Sequence, residues 1–401
     1  MVLWRTIETE DFGTDQNVRL GDLNGDGNKE LLLARPGPTG YLSSLTAVNL
    51  DGEVLWQRGT ADVPEPDLGP ELPVQIHDLD GDGSREVIYL QGKTVFILHG
   101  RNGRYAAGYS PELSFVPSSL AFADVRNVGR RNCPVLSDGT GHVAVFDERF
   151  RLLWERKVEN GCLPLIRDLN GDGLDDVVMG FVAFDHEGRT MFNVGEYIKD
   201  KCEGVAVSTF RTGERQVKCL VFAAGDWGQL YVDFQGHVLK QNIQGHVAFL
   251  SAGDFDLERP GLEIVSSNQW GSEGEVHVCD ETGKVFSRFV ARSGPHRCQP
   301  VNWKGDGEEF FLSAADSVSG GLLDVLGQQA VAFPDDGHPV RSYQVLDLTG
   351  DARDEILVWD ASQIRIYTQS DNPRMGKTYD PERPDLFNYS TSRMVSSLPG
   401  W

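Results

Sequence analysis

Apolar residues along this chain come in short runs, cut at close intervals by Gly, Asp and Asn. "PVQIHDL" gives way to "DGDGS", then to "REVIYLQG", "KTVFILHG" and an Asn-Gly turn. Short apolar runs bounded by turn residues predict β-strands, since an amphipathic helix needs a longer stretch at period 3.6. Asp-Gly and Asn-Gly between two such runs are hairpin signals, because both supply the positive φ of a tight turn. "NLDGEVLWQRG", "FDERFRLLWERK" and "CDETGKVFSRFV" repeat one phrase of strand, turn and strand. No segment carries a long helical period.

The strand pattern recurs with a ruler. "DLNGDGNKELLL" starts at Asp22, and clear copies start at Asp78, Asp168 and Asp347. Weaker copies fall at Asp124, Asp254 and Asn302, with Thr209 near the mark that a double gap requires. The steps are then 56, 46, 44, 41, 45, 48 and 45 residues. Four strands in about 45 residues is the signature of a β-propeller blade. The expected fold is therefore all-β, an eight-bladed propeller formed by residues 1–401 as a single domain. A seven-bladed ring, with one degenerate repeat absorbed elsewhere, is the alternative. The last repeat lacks a fourth strand, while the opening "VLWRTIE" resembles "VLWQRG" and "LLWERK". Residues 3–9 are expected to supply that strand and close the ring, which removes free sheet edges. The tail, 370–401, is expected to pack across the outside of the ring, with a disordered tail as the alternative.

In "DLNGDGNKE" the oxygen-bearing side chains alternate at loop positions 1, 3, 5 and 9. The sets are Asp22, Asn24, Asp26 and Glu30; Asp78, Asp80, Asp82 and Glu86; Asp168, Asn170, Asp172 and Asp176; and Asp347, Thr349, Asp351 and Glu355. Alternation turns these groups toward one centre, and clustered carboxylates repel unless neutralised. Structural Ca2+ at all four is the expectation, against the plainer reading of Asp/Asn/Gly turns without metal. An EF-hand would place its last acid at position 12 and continue into a helix. Arg126 and Lys304 replace the position-3 ligand in two degenerate copies, where a cation can take over the charge role. These loops resemble the FG-GAP or VCBS-type repeat, the calcium-bearing blade of integrin-like propellers. The resemblance covers most of the chain and implies fold more than function.

Composition narrows the function. The formal net charge of −23 argues against nucleic acid or an anionic membrane as partner. No run of eighteen apolar residues exists, so no transmembrane helix is expected. The N-terminus lacks the basic and apolar regions of a signal peptide, which leaves two readings: cytoplasmic, or secreted with the leader absent. The six cysteines are scattered without a CxxC pair and read as buried thiols rather than disulfides. Asn388-Tyr389-Ser390 is a glycosylation sequon.

Loops of a propeller sort to two faces, and candidate chemistry gathers opposite the acidic turns. Cations are scarce here, yet His246, His296 and His338 stand at the starts of consecutive blades, and Arg297 and Arg341 follow two of them. Histidine moves protons near neutrality and arginine forks a carboxylate. These five, with Tyr41, are the catalytic candidates. Arg35, Trp227, Trp270, Tyr197 and His142 are the substrate-binding candidates, the aromatics because their planes suit sugar faces; Lys199 and Lys201 lie on the same rim. For any single histidine the alternative is a hydrogen-bonded structural residue. A chain that is all propeller with several calcium turns resembles the propeller polysaccharide lyases, namely rhamnogalacturonan lyases and L-rhamnose-α-1,4-D-glucuronate lyases. The closing "NYSTSRMVSSLPGW" and single-domain length favour the second group. That resemblance implies β-elimination at a uronate of arabinogalactan or gum arabic type, a secreted monomer and a uronate-containing polysaccharide as partner. A non-catalytic lectin or adhesion propeller is the alternative.

Overall fold

The computed structural model describes residues 1–10, 12–15, 18–37, 42–60, 71–291, 297–318, 320–339, 341–370, 379–383 and 394–399. Among them the chain forms eight sheets and no helix. Blade one is Arg19–Gly21, Glu30–Pro36, Leu42–Val48 and Val54–Gly59, each strand antiparallel to the one before it. Blades two to eight begin at Val74, Ser119, Leu165, Gly204, Val247, Gln299 and Ser342. Blade eight takes its outer strand from the N-terminus: Val2–Glu8 runs antiparallel to Gln363–Thr368, from Val2 opposite Thr368 to Glu8 opposite Gln363. The eight-bladed reading and its closure both hold, with the strand one residue earlier than expected.

Burial grades outward through each blade. Ser119–Ala123, first in blade three, is buried at every position, while Leu152–Lys157, last in that blade, buries Trp154 alone. The core is correspondingly divided into eight layers, each built from the facing sides of two neighbouring blades. Leu346, Trp359 and Ile366 meet Leu20 and Leu31 where blade eight joins blade one. The recurrent "LW" of the outer strands is a staple to the next blade. Trp56 Nε1 donates to the Gly100 carbonyl at 2.6 Å, and Trp154 Nε1 to the His186 carbonyl at 3.0 Å. Each indole lies under a glycine of that blade's outer turn. A Cβ at Gly103 or Gly188 would come within 2.6 or 2.7 Å of the ring.

Two features depart from the sequence reading. In blade five the mark at Thr209 lies inside the strand Gly204–Thr212, and the turn to Arg215–Ala223 has no room for an acidic loop. The described part of the tail is not on the outside. Val395–Ser396 pairs in parallel with Val247–Gly253, the inner strand of blade six, and Ser396 Oγ accepts from Val207 N of blade five at 2.7 Å. Met394 fills the core between these two blades. Further back, Arg383 bridges Asp354 of blade eight and Glu309 of blade seven at 2.7 and 3.0 Å. The inner strand of blade six offers backbone, and the loops before the second strands of blades seven and eight offer buried carboxylates, which draws the tail inward. The sequon at Asn388 lies outside the described residues.

Candidate functional site

Strand direction alternates, so first-to-second and third-to-fourth turns share one face. Second-to-third loops and the links between blades occupy the other.

On the first face the four acidic loops have one geometry. Asp22 accepts from Gly25 N at 2.6 Å and Gly27 N at 2.9 Å, and Asp78, Asp168 and Asp347 hold their loops in the same way. Glu30, Glu86, Asp176 and Glu355 each turn one oxygen back to the amide of loop residue two, at 2.7, 3.0, 2.9 and 2.8 Å. Oxygens of Asp78, Asp80 and Glu86 lie within 4.8 Å of one another, and Asp176 Oδ1 is buried without a partner. Burial pushes Glu86 and Glu355 up to about 7 and Asp176 up to about 6, and raises Glu30. Such convergent, under-partnered oxygens fit a hard cation. The loop at Asp347 is the least open. Arg353 engages Asp351 at 2.9 Å, and Thr368 donates to Glu355 at 3.0 Å.

In blade six the ruler marked Asp254 but missed the acid that closes its loop. A one-residue insertion in "DFDLERPGLE" moves the closing acid to Glu263, which sits opposite Gly253 as Glu30 sits opposite Gly21. Glu263 accepts from Phe255 N at 3.0 Å, while its Oε1 and Asp254 Oδ1 are buried without partners. Of the two substituted loops, Lys304 pairs within its own loop, with Glu308. Arg126 instead reaches Glu148 of the neighbouring turn at 2.6 Å.

On the opposite face three loops converge on His246. Its Nδ1 lies 2.8 Å from Asp226 and 3.7 Å from Asp200, and its Nε2 lies 3.7 Å from Glu203. Asp200 and Glu203 belong to the link between blades four and five, Asp226 to the second-to-third loop of blade five, and His246 to the link into blade six. Backbone bonds lock the junction: Asp226 N donates to Asp200 Oδ2 at 2.8 Å, and Val247 N to the Gly225 carbonyl at 3.0 Å. A carboxylate beside Nδ1 makes that nitrogen the donor. It leaves Nε2, buried and without a hydrogen-bond partner, to carry the lone pair. Lys201 pairs with Glu203 at 3.0 Å. Asp200, Asp226 and His246 are also spaced to hold a divalent cation, their ligand atoms lying within 4.8 Å of one another. Beside this cluster a groove of about 830 Å3 runs between blades three and four, lined in part by Arg156, Lys157, Asn160 and Lys199.

Of the residues singled out from sequence, Trp227, Trp270 and Tyr197 share this sector with His246. Trp227 follows Asp226, and Gln269 N bonds the His246 carbonyl at 2.9 Å, placing Trp270 beside it in the chain. Tyr197 and Trp270 are 80% and 62% exposed, an unusual cost for aromatics that serve no contact. The other candidates stand apart. His338 has both nitrogens engaged, by Asp336 at 2.8 Å and the Ala315 carbonyl at 3.0 Å, and stacks on Phe333, which is the bonding of a structural residue. His142 bonds Asp138 at 2.7 Å and stacks on Phe115. Arg341 pairs with Asp15 at 3.1 Å, Arg297 stands beside the partly buried Tyr343, and Arg35 lies next to the end of the second strand of blade one. Tyr41 and His296 lie outside the described residues. Asp200, Glu203 and Asp226 were not among the candidates. Only their position beside Lys199, Lys201 and Trp227 could have drawn attention to them.

No protein-family model matches the chain. It is 24% identical over 447 residues to rhamnogalacturonan endolyase YesW of Bacillus subtilis (strain 168), spanning 88% of this chain and 67% of that protein. It is 22% identical to rhamnogalacturonan exolyase YesX of the same organism, spanning 88% and 70%. Among solved structures, that of YesW superposes with a TM-score of 0.69 at 18% identity, covering 99% of this chain and 80% of the other. The Vibrio cholerae biofilm matrix protein Bap1 superposes at 0.62 and 12% identity, covering 100% and 96%. The fold is thus shared by lyases and by a matrix protein.

Proposed function

We propose that the chain is a polysaccharide lyase that cleaves a rhamnose–uronate linkage by β-elimination. The observation that carries this reading is His246, oriented by Asp226 with Nε2 free of hydrogen bonds, in a sector that also gathers exposed aromatics and lysines. The likeness to two rhamnogalacturonan lyases over most of the chain supports the reaction class. With His246 as the base, once its buried Nε2 is uncovered to substrate, the C5 proton of the uronate is removed, the C4–O bond breaks as the C4=C5 bond forms, and the departing oxygen takes a proton. Lys199 or Lys201 draws charge from the carboxylate, which acidifies C5. Tyr197, Trp227 and Trp270 receive sugar faces. The proposed substrate is the L-rhamnose-α-1,4-D-glucuronate end of arabinogalactan, met outside the cell by a monomer.

Calcium is proposed at the loops of Asp22, Asp78, Asp168 and Asp347, and at Asp254, Asp256 and Glu263 of blade six. The partnerless oxygens of Asp176, Asp254 and Glu263 support it. Its chemistry there is structural, neutralising carboxylates on the face away from His246.

Rhamnose-capped glucuronate glycans and rhamnogalacturonan should be incubated in parallel while ultraviolet absorbance of the unsaturated product is followed. Product from the first supports the full proposal, and product from the second alone corrects the uronate. Glycan binding without product from either would establish instead a carbohydrate-binding propeller.

A further inference from the structure

The two links that flank blade four each bring a cysteine to the same point. Cys162 lies in the link from blade three, and Cys202 in the link that carries Asp200 and Glu203. Their sulfurs are 3.3 Å apart, in hydrogen-bond contact, and both residues are buried. The backbones are already joined: Cys202 N donates to the Asn160 carbonyl at 3.1 Å, and Asn160 Nδ2 to the Ile198 carbonyl at 3.4 Å. The geometry points to a disulfide between Cys162 and Cys202 that forms under oxidising conditions and staples the strap beneath His246 to its neighbour. A disulfide brings its sulfurs to about 2.05 Å, and the 3.3 Å between these thiols, on backbones already in contact, puts the pair close to that distance. No other pair of cysteines is in sulfur-to-sulfur hydrogen-bond contact among the described residues.

Each thiol gives up one proton and one electron, and the S–S bond forms as a small disulfide, such as oxidised glutathione, is cleaved to two thiols. Burial holds both sulfurs away from that oxidant in the folded ring, and it pushes the Cys202 thiol well above its ordinary range. The exchange therefore belongs to the folding chain, before blades four and five close over it. The bridge would enclose all of blade four, which constrains the unfolded chain and raises the melting temperature. It acts on the strap whatever reaction His246 performs.

The test is refolding in a glutathione redox buffer, followed by alkylation, intact mass and peptide mapping. Four alkylated cysteines and a crosslink between the peptides of Cys162 and Cys202 are expected. Added reductant should then lower the melting temperature of wild type by several degrees and leave that of Cys162→Ser unchanged. Six alkylated cysteines, or a crosslink to any other position, would overturn the pairing without any variant having to fold. A correct crosslink with no redox-dependent melting would overturn the staple.

Discussion

One ring nitrogen separates His246 from His338. His338 has both ring nitrogens bonded and His142 stacks on Phe115 with Nδ1 on Asp138, whereas His246 has Nε2 buried without a hydrogen bond, 3.7 Å from Glu203. Removal of His246 should therefore act on turnover. His246→Ala is expected to lower kcat by about 10²–10⁴-fold with little change in KM, the range usual for a positioned acid–base group. His338→Ala should instead lower the melting temperature and leave kcat per folded molecule near wild type, since Asp336 and the Ala315 carbonyl lose a buried donor. Equal activity loss in both, at equal melting, would refute this division. Glycine acts at the same scale. Gly103 has a φ of +63°, and a Cβ there would strike Trp56. Gly103→Ala should cost about 1–3 kcal/mol in denaturant unfolding, through strain and overpacking of the indole.

At the scale of elements, the two ends of the chain close the ring by different means. Val2–Glu8 adds a whole strand by backbone bonding, legible because its "LW" phrase matches those of other outer strands. The C-terminal segment adds two strand-paired residues and one partly buried cation. Arg383 serves two carboxylates that are themselves almost fully buried, Glu309 and Asp354. Arg383→Ala should cost about 3–5 kcal/mol, because it strands both charges in the interior. Arg383→Lys keeps the charge but loses the fork and should fall between. Stability of the Ala variant matching wild type in chemical denaturation would show that the clamp contributes nothing.

For the whole molecule the governing fact is a net charge of −23 with carboxylates gathered in repeating loops. Without metal, burial raises Glu86 and Glu355 to about 7 and Asp176 to about 6, so the folded state holds protons that the unfolded chain releases at its ordinary, lower pKa. Stability of the chelated protein should thus fall as pH rises from the ordinary carboxylate range toward about 7. Calcium bound as proposed would favour the ionised loops and stabilise the native ring by mass action. The gap in melting temperature between calcium and chelator should be small near pH 5 and widest above about 7. The loop at Asp347, already engaged by Arg353 and Thr368, should be the first to lose its ion in a chelator titration. No metal-dependent melting at any pH would remove calcium from the account.

The fold was legible because a propeller writes its plan locally. Turn chemistry, strand length and the spacing of Asp22, Asp78, Asp168 and Asp347 are short-range properties repeated until they specify a ring. Even the closing strand announced itself by likeness to its equivalents. The candidate site was not legible in that way. His246, Asp226 and Asp200 lie 20 and 26 residues apart along the chain and come from three loops with no shared phrase. Glu263 was hidden by one inserted residue, and only the strand register restored its equivalence to Glu30. The inward path of the tail was likewise beyond composition, since it depends on buried carboxylates and inner-strand backbone that are in place only once the blades have assembled. Sequence alone determined what recurs within a blade. Tertiary structure decided what meets between blades, because contacts across loops depend on the ring's geometry and leave no period in the chain.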